Sequence, residues 1–72
     1  MTTTEIKKEL YKQKPVAYFQ FIRMGVAYYD ALIKGEIFEY TVNFQVPVSD
    51  MGDTDFHSEM DAKLLIRYIV ES

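Results

Sequence analysis

Phe38-Glu39-Tyr40-Thr41-Val42-Asn43-Phe44-Gln45-Val46 alternates large apolar and polar side chains without a break. Successive side chains of an extended chain point to opposite faces, so this is the pattern of a β-strand with one face on a core. Phe38, Tyr40, Val42, Phe44 and Val46 are assigned inward, and Glu39, Thr41, Asn43 and Gln45 outward. The strand is expected to run from Glu36 to Val46.

Working back from it, Val16 to Ile33 is dense in β-branched and aromatic residues, which favour strands. Arg23-Met24-Gly25 and Lys34-Gly35 interrupt this stretch, and glycine takes the positive φ that a tight hairpin needs. Three antiparallel strands follow, roughly Ala17 to Ile22, Val26 to Ile33 and Glu36 to Val46. A two-residue Lys34-Gly35 loop sets Ile33 opposite Glu36, Ala31 opposite Phe38, Tyr29 opposite Tyr40 and Asp30 opposite Glu39. The inward set of the second strand is then Ala27, Tyr29, Ala31 and Ile33. A three-residue first loop ending in Gly25 carries this parity into Ala17, Phe19 and Phe21. A two-residue loop would instead put Phe21 on the other side.

Outside the strands the apolar period is helical. Thr2 and Glu5 have the capping-box spacing of a helix start. The first helix is expected over Thr3 to Lys14, with Ile6 and Leu10 on one face and Pro15 ending it. After Pro47, the segment to Phe56 has turn composition. Ser58 is the expected cap of a second helix reaching Val70, with Ala62, Leu65, Ile66 and Ile69 as its core stripe. The fold class is thus α+β: helix-strand-strand-strand-helix, a three-stranded antiparallel meander with two helices mainly on one face.

That element order resembles the double-stranded-RNA-binding domain, which has similar length. In that family RNA-binding lysines sit at the start of the second helix. Here the matching stretch carries Asp53, Asp55, Glu59 and Asp61, with Lys63 the only base, so the resemblance extends to topology and not to the basic site. Val46-Pro47-Val48-Ser49-Asp50-Met51-Gly52-Asp53 and Ala62-Lys63-Leu64-Leu65-Ile66-Arg67-Tyr68-Ile69 resemble stretches of small bacterial proteins of unknown activity, which imply no mechanism.

Seventy-two residues, 49% of them hydrophobic, make one small domain. Without cysteine there is no disulfide framework, zinc thiolate or thiol nucleophile. Uncharged stretches such as Pro15 to Ile22 fall far short of the roughly 20 apolar residues that span a bilayer. The polar, charged beginning lacks a secretory signal's apolar core, and a cytoplasmic location is expected. A domain this small buries only about 60% of the surface its unfolded chain exposes, so help from another subunit is expected.

Candidate chemistry is sparse. His57 is the only histidine; Ser49, Ser58, Asp50 and Asp55 lie near it in sequence, but triads are defined by converging geometry and not by adjacency. No catalytic residue and no enzyme activity is assigned. Asp50, Asp53, Asp55, Glu59 and Asp61 form an acidic run whose spacing departs from the twelve-residue calcium loop. No metal site or cofactor is assigned. Lys7, Lys8, Lys12 and Lys14 offer a phosphate-tracking set on the first helix, the basis of an alternative nucleic-acid-binding reading. Residues 37–72 are net −5 and residues 1–36 net +2, an asymmetry that favours a charged protein partner or another copy of the chain.

The register that buries Phe19, Tyr29 and Tyr40 turns Tyr18, Ile22, Val26, Tyr28, Asp30, Leu32, Ile37 and Glu39 to the other side of the sheet. With both helices on one face, this outer face stays open, and a contiguous exposed apolar patch marks an interface. The expected function is therefore a non-enzymatic interaction module that self-associates, as a dimer, through this face or an edge strand.

Overall fold

A computed structural model describes residues 2–52 and 58–70. Helix α1, Thr3–Gln13, leads into three long strands, β1 (Val16–Arg23), β2 (Val26–Lys34) and β3 (Glu39–Pro47). A single helical turn, α2 (Val48–Met51), follows. The chain then forms a two-residue strand β4 (Met60–Asp61), a 3₁₀ helix (Ala62–Tyr68) and a two-residue strand β5 (Ile69–Val70). The sheet is antiparallel with order β4-β1-β2-β3-β5.

Helix α1 starts as its sequence requires. The Thr2 hydroxyl accepts from the Glu5 amide and donates to the Glu5 carboxylate, both at 3.2 Å. At its other end Lys14 adopts the left-handed conformation and returns its amide to Leu10, after which Pro15 prevents continuation. Ile6 and Leu10 are fully buried. The Gln13 side chain ties the helix to the sheet: its Nε2 donates to the Lys34 carbonyl at 2.8 Å, and its Oε1 accepts from the Lys34 amide at 2.9 Å. A side-chain amide thereby makes the paired contacts of a neighbouring strand.

The core lies between the inner sheet face and the two helical elements. Ala17, Ala27, Tyr29, Ala31, Ile33, Val42, Phe44 and Val46 meet Ile6 and Leu10 of α1, Ala62 and Leu65 of the 3₁₀ helix, and Met51. Phe19 meets Tyr29 edge to face, with centroids 5.7 Å apart, a favoured aromatic geometry.

Both hairpins differ from the sequence expectation. The first loop is Met24-Gly25, not three residues, since Arg23 pairs with Val26. Both loop residues have positive φ, 51° and 75°, the signature of the hairpin turn whose twist matches that of its strands. A bulge between Phe19 and Phe21 then reverses the parity of the end of β1. Ala17 and Phe19 keep their inward places, but Phe21 joins Tyr28 on the outer face and Ile22 joins Ala27 on the inner one.

The second loop has four residues, 35–38, closed by a 2.7 Å bond from the Gly35 amide to the Phe38 carbonyl. Pairing is displaced by four residues: Ile33 faces Tyr40, Ala31 faces Val42 and Tyr29 faces Phe44. Because four is even, the inward set of β2 and the Tyr40-to-Val46 alternation keep their faces. Phe38, assigned to the core, lies in the loop and is 49% exposed. Its ring covers Gly35 so closely that a Cβ there would overlap it, so Gly35 supplies room and not positive φ. Asp30 faces Asn43, and Glu39 faces Lys34; the expected Asp30–Glu39 pair does not form.

The expected helix from Ser58 to Val70 is shorter and tighter. Its cap is the Asp61 carboxylate, which accepts from the Lys63 amide at 2.9 Å. The flanking residues serve as edge strands: Met60–Asp61 beside β1, and Ile69–Val70 beside β3. The connection must cross the sheet between opposite edges, about 19 Å at some 4.8 Å per strand spacing. Eight residue steps cover about 16 Å as 3₁₀ helix and about 12 Å as α-helix, so the more extended form is favoured. The expected loop after Pro47 contains α2, and residues 53–57, His57 among them, lie outside the described residues.

Candidate interaction surface

On the sheet face away from the helices, cross-strand partners stand side by side. One row holds Arg23, Val26 and Pro47; the next Phe21, Tyr28 and Gln45; the next Tyr18, Asp30, Asn43 and Val70. By strand alternation Leu32 and Val16 continue the face, Leu32 beside Thr41 and Val16 beside Asp61. The last row pairs Lys34 with Glu39.

This surface is apolar and open. Tyr18 is 52% exposed, Phe21 50% and Leu32 37%; Val16 and Val70 are also exposed. Tyr28 and Val26 are half-buried, held between neighbouring strands. Phe21 stacks on Tyr28 with ring centroids 4.6 Å apart and planes 19° from parallel. The bulge thus assembles an aromatic pair at the middle of the face, with Tyr18 one row away.

Of the residues expected on this surface, Tyr18, Val26, Tyr28, Asp30, Leu32 and Glu39 lie on it. Ile22 is displaced to the inner side by the bulge, and Ile37, 96% exposed, sits in the loop beyond the strands. Phe21 is the residue of this surface that sequence reasoning missed. The signal was the Met24-Gly25 dipeptide, which read as a two-residue loop sends Phe21 outward.

Other candidates do not converge. Lys8 and Lys12 share one ridge of α1, Lys7 lies about 100° around the helix from Lys8, and Lys14 is beyond its end. Glu5 is engaged by the Thr2 hydroxyl, and Glu9 accepts from Gln13 at 2.8 Å, both neutral partners. In the acidic run, Asp50 accepts from the Tyr68 hydroxyl at 3.2 Å and Asp61 caps the 3₁₀ helix. Among the described residues no three histidine or carboxylate side chains gather to hold a metal ion.

A cleft of about 500 Å³ separates the end of α1 from the second hairpin, lined by Glu9, Lys12, Gln13, Lys34, Glu36 and Phe38 among others. Its charges are mixed, and Gln13 and Glu9 are engaged in the latch between α1 and β2. Lys63 lies 5.7 Å from the Tyr11 ring centroid, joining α1 to the 3₁₀ helix.

No protein-family model matches the chain, and no curated protein or solved structure resembles it significantly. No described helix is long and apolar enough to cross a membrane.

Proposed function

We propose that the protein is a small non-enzymatic interaction module, acting in a reducing, cytoplasmic setting, that associates with a second copy through the outer sheet face. The observation that carries this reading is the open apolar face itself. Two helical elements cover one side of the sheet, while Tyr18, Phe21, Tyr28, Leu32 and Val16 line the other. Such a surface is stable in water when another surface covers it.

The area is sufficient for a dimer. The molecule measures 36 × 18 × 18 Å, so a broad face offers on the order of 600 Å² per copy, or about 1,200 Å² in the pair, at the lower end of specific interfaces. Its charges are mixed, Arg23 and Lys34 with Asp30, Glu39 and Asp61, which suits pairing with itself. The test is light scattering after size exclusion on wild type and Leu32→Lys. The expected result is a larger wild-type mass that falls to the monomer in the variant, with unchanged circular dichroism. Equal monomer masses would overturn the reading. Salt-sensitive binding of single-stranded oligonucleotides, lost when Lys7, Lys8, Lys12 and Lys14 become glutamine, would replace it with nucleic-acid binding.

A further inference from the structure

Resting on that self-association reading, we infer that the copies stack face to face about a two-fold axis crossing the strands at Tyr28, and that Arg23 of each reaches Asp30 of the other. Asp30 lies half-buried between Tyr18 and Asn43, and no hydrogen bond or ion pair engages its carboxylate among the described residues. Covering it with a second sheet removes the water that solvates it, so the covering face must bring a cation.

The described strands offer two cations on this face. Lys34 stands opposite Glu39 at the hairpin end of the strands, whereas Arg23 stands opposite Val26, next to the row of the Phe21–Tyr28 stack. In face-to-face stacking about an axis across the strands, rows equally far on either side of the axis lie over one another. An axis at Asp30 sets the two Asp30 carboxylates together, as does an axis running along β2. At Leu32 it brings Asp30 over Lys34, but it carries the Phe21–Tyr28 row past the end of β2 at Lys34, where no strand of the other copy covers it. At Tyr28 it lays the Asp30 row over the row of Arg23 and Val26, and places the stacked Phe21–Tyr28 pairs at the centre. Buried aromatics at the middle of an interface carry most of its binding energy. Packed sheets lie about 10 Å apart, a gap an arginine crosses, and its planar fork binds a carboxylate through two parallel hydrogen bonds.

The experiment uses Arg23→Asp and Asp30→Arg, alone and mixed, with mass measured by sedimentation. Each variant alone sets like charges against one another and is expected to weaken the dimer by about a hundredfold. In an equal mixture both inter-copy contacts are again of opposite sign, and a heterodimer is expected. If wild type dimerises but the single variants stay dimeric, or the mixture stays monomeric, this stacking is wrong while self-association stands. A monomeric wild type overturns both. Arg23→Glu with Asp30→Lys repeats the test if either first variant fails to fold.

Discussion

Phe21→Ala and Phe44→Ala together test the bulge in β1, because both residues are phenylalanines in strands and differ in the face they occupy. Phe44 is fully buried, opposite Tyr29 on one side and Ile69 on the other. Truncating such a residue costs about 3–5 kcal/mol, the transfer term plus the cavity left behind. A domain of this length has a total stability of about 4–11 kcal/mol, so Phe44→Ala is expected to be largely unfolded or close to it. Phe21 is half-exposed and contributes chiefly its stack on Tyr28. Losing half a side chain's burial, about 1 kcal/mol, with an aromatic contact of about 0.5–1.5 kcal/mol, gives about 2 kcal/mol. Urea denaturation at protein concentrations low enough to keep wild type monomeric measures both. Equal losses for the two variants would place Phe21 in the core and refute the bulge.

Other variants test local devices. Met24 is almost fully exposed yet holds positive φ, so Met24→Asn, which tolerates that conformation, is expected to raise stability by about 1 kcal/mol in the same urea titration. Gln13→Ala removes the bonds to Lys34 and is expected to cost about 1–2 kcal/mol, with the Lys34 amide exchanging faster by hydrogen-exchange NMR. Gly35→Ala drives a methyl into the Phe38 ring and is expected to cost about 1–2 kcal/mol alone and less with Phe38→Ala, a coupling that a double-mutant cycle reads directly.

What the sequence made legible follows from its periodicities. Thr2 and Glu5 locate the first helix because capping is local, and the Tyr40-to-Val46 alternation identifies buried faces because parity survives any even register shift. The pairings themselves were not legible. Lys34-Gly35 has the composition of a two-residue turn, but Phe38 packs on Gly35 and closes a four-residue loop. The bulge at Gln20 has no signature in its own side chain, and it is what lets Ala17 and Phe19 keep the inner face while the Met24-Gly25 turn sends Phe21 outward. In the last segment, Ala62, Leu65, Ile66 and Ile69 fit a helical period. The pairing of Met60–Asp61 and Ile69–Val70 with opposite edges is a long-range constraint, and it converts that period into 3₁₀ helix.

The central claim, that the outer sheet face pairs with its own copy, is tested most directly by sedimentation equilibrium of the wild-type chain from low-micromolar to near-millimolar concentration. The predicted result is a weight-average mass that rises from the monomer's 8.5 kDa toward twice that value. A mass that stays at the monomer's across the whole range would contradict it.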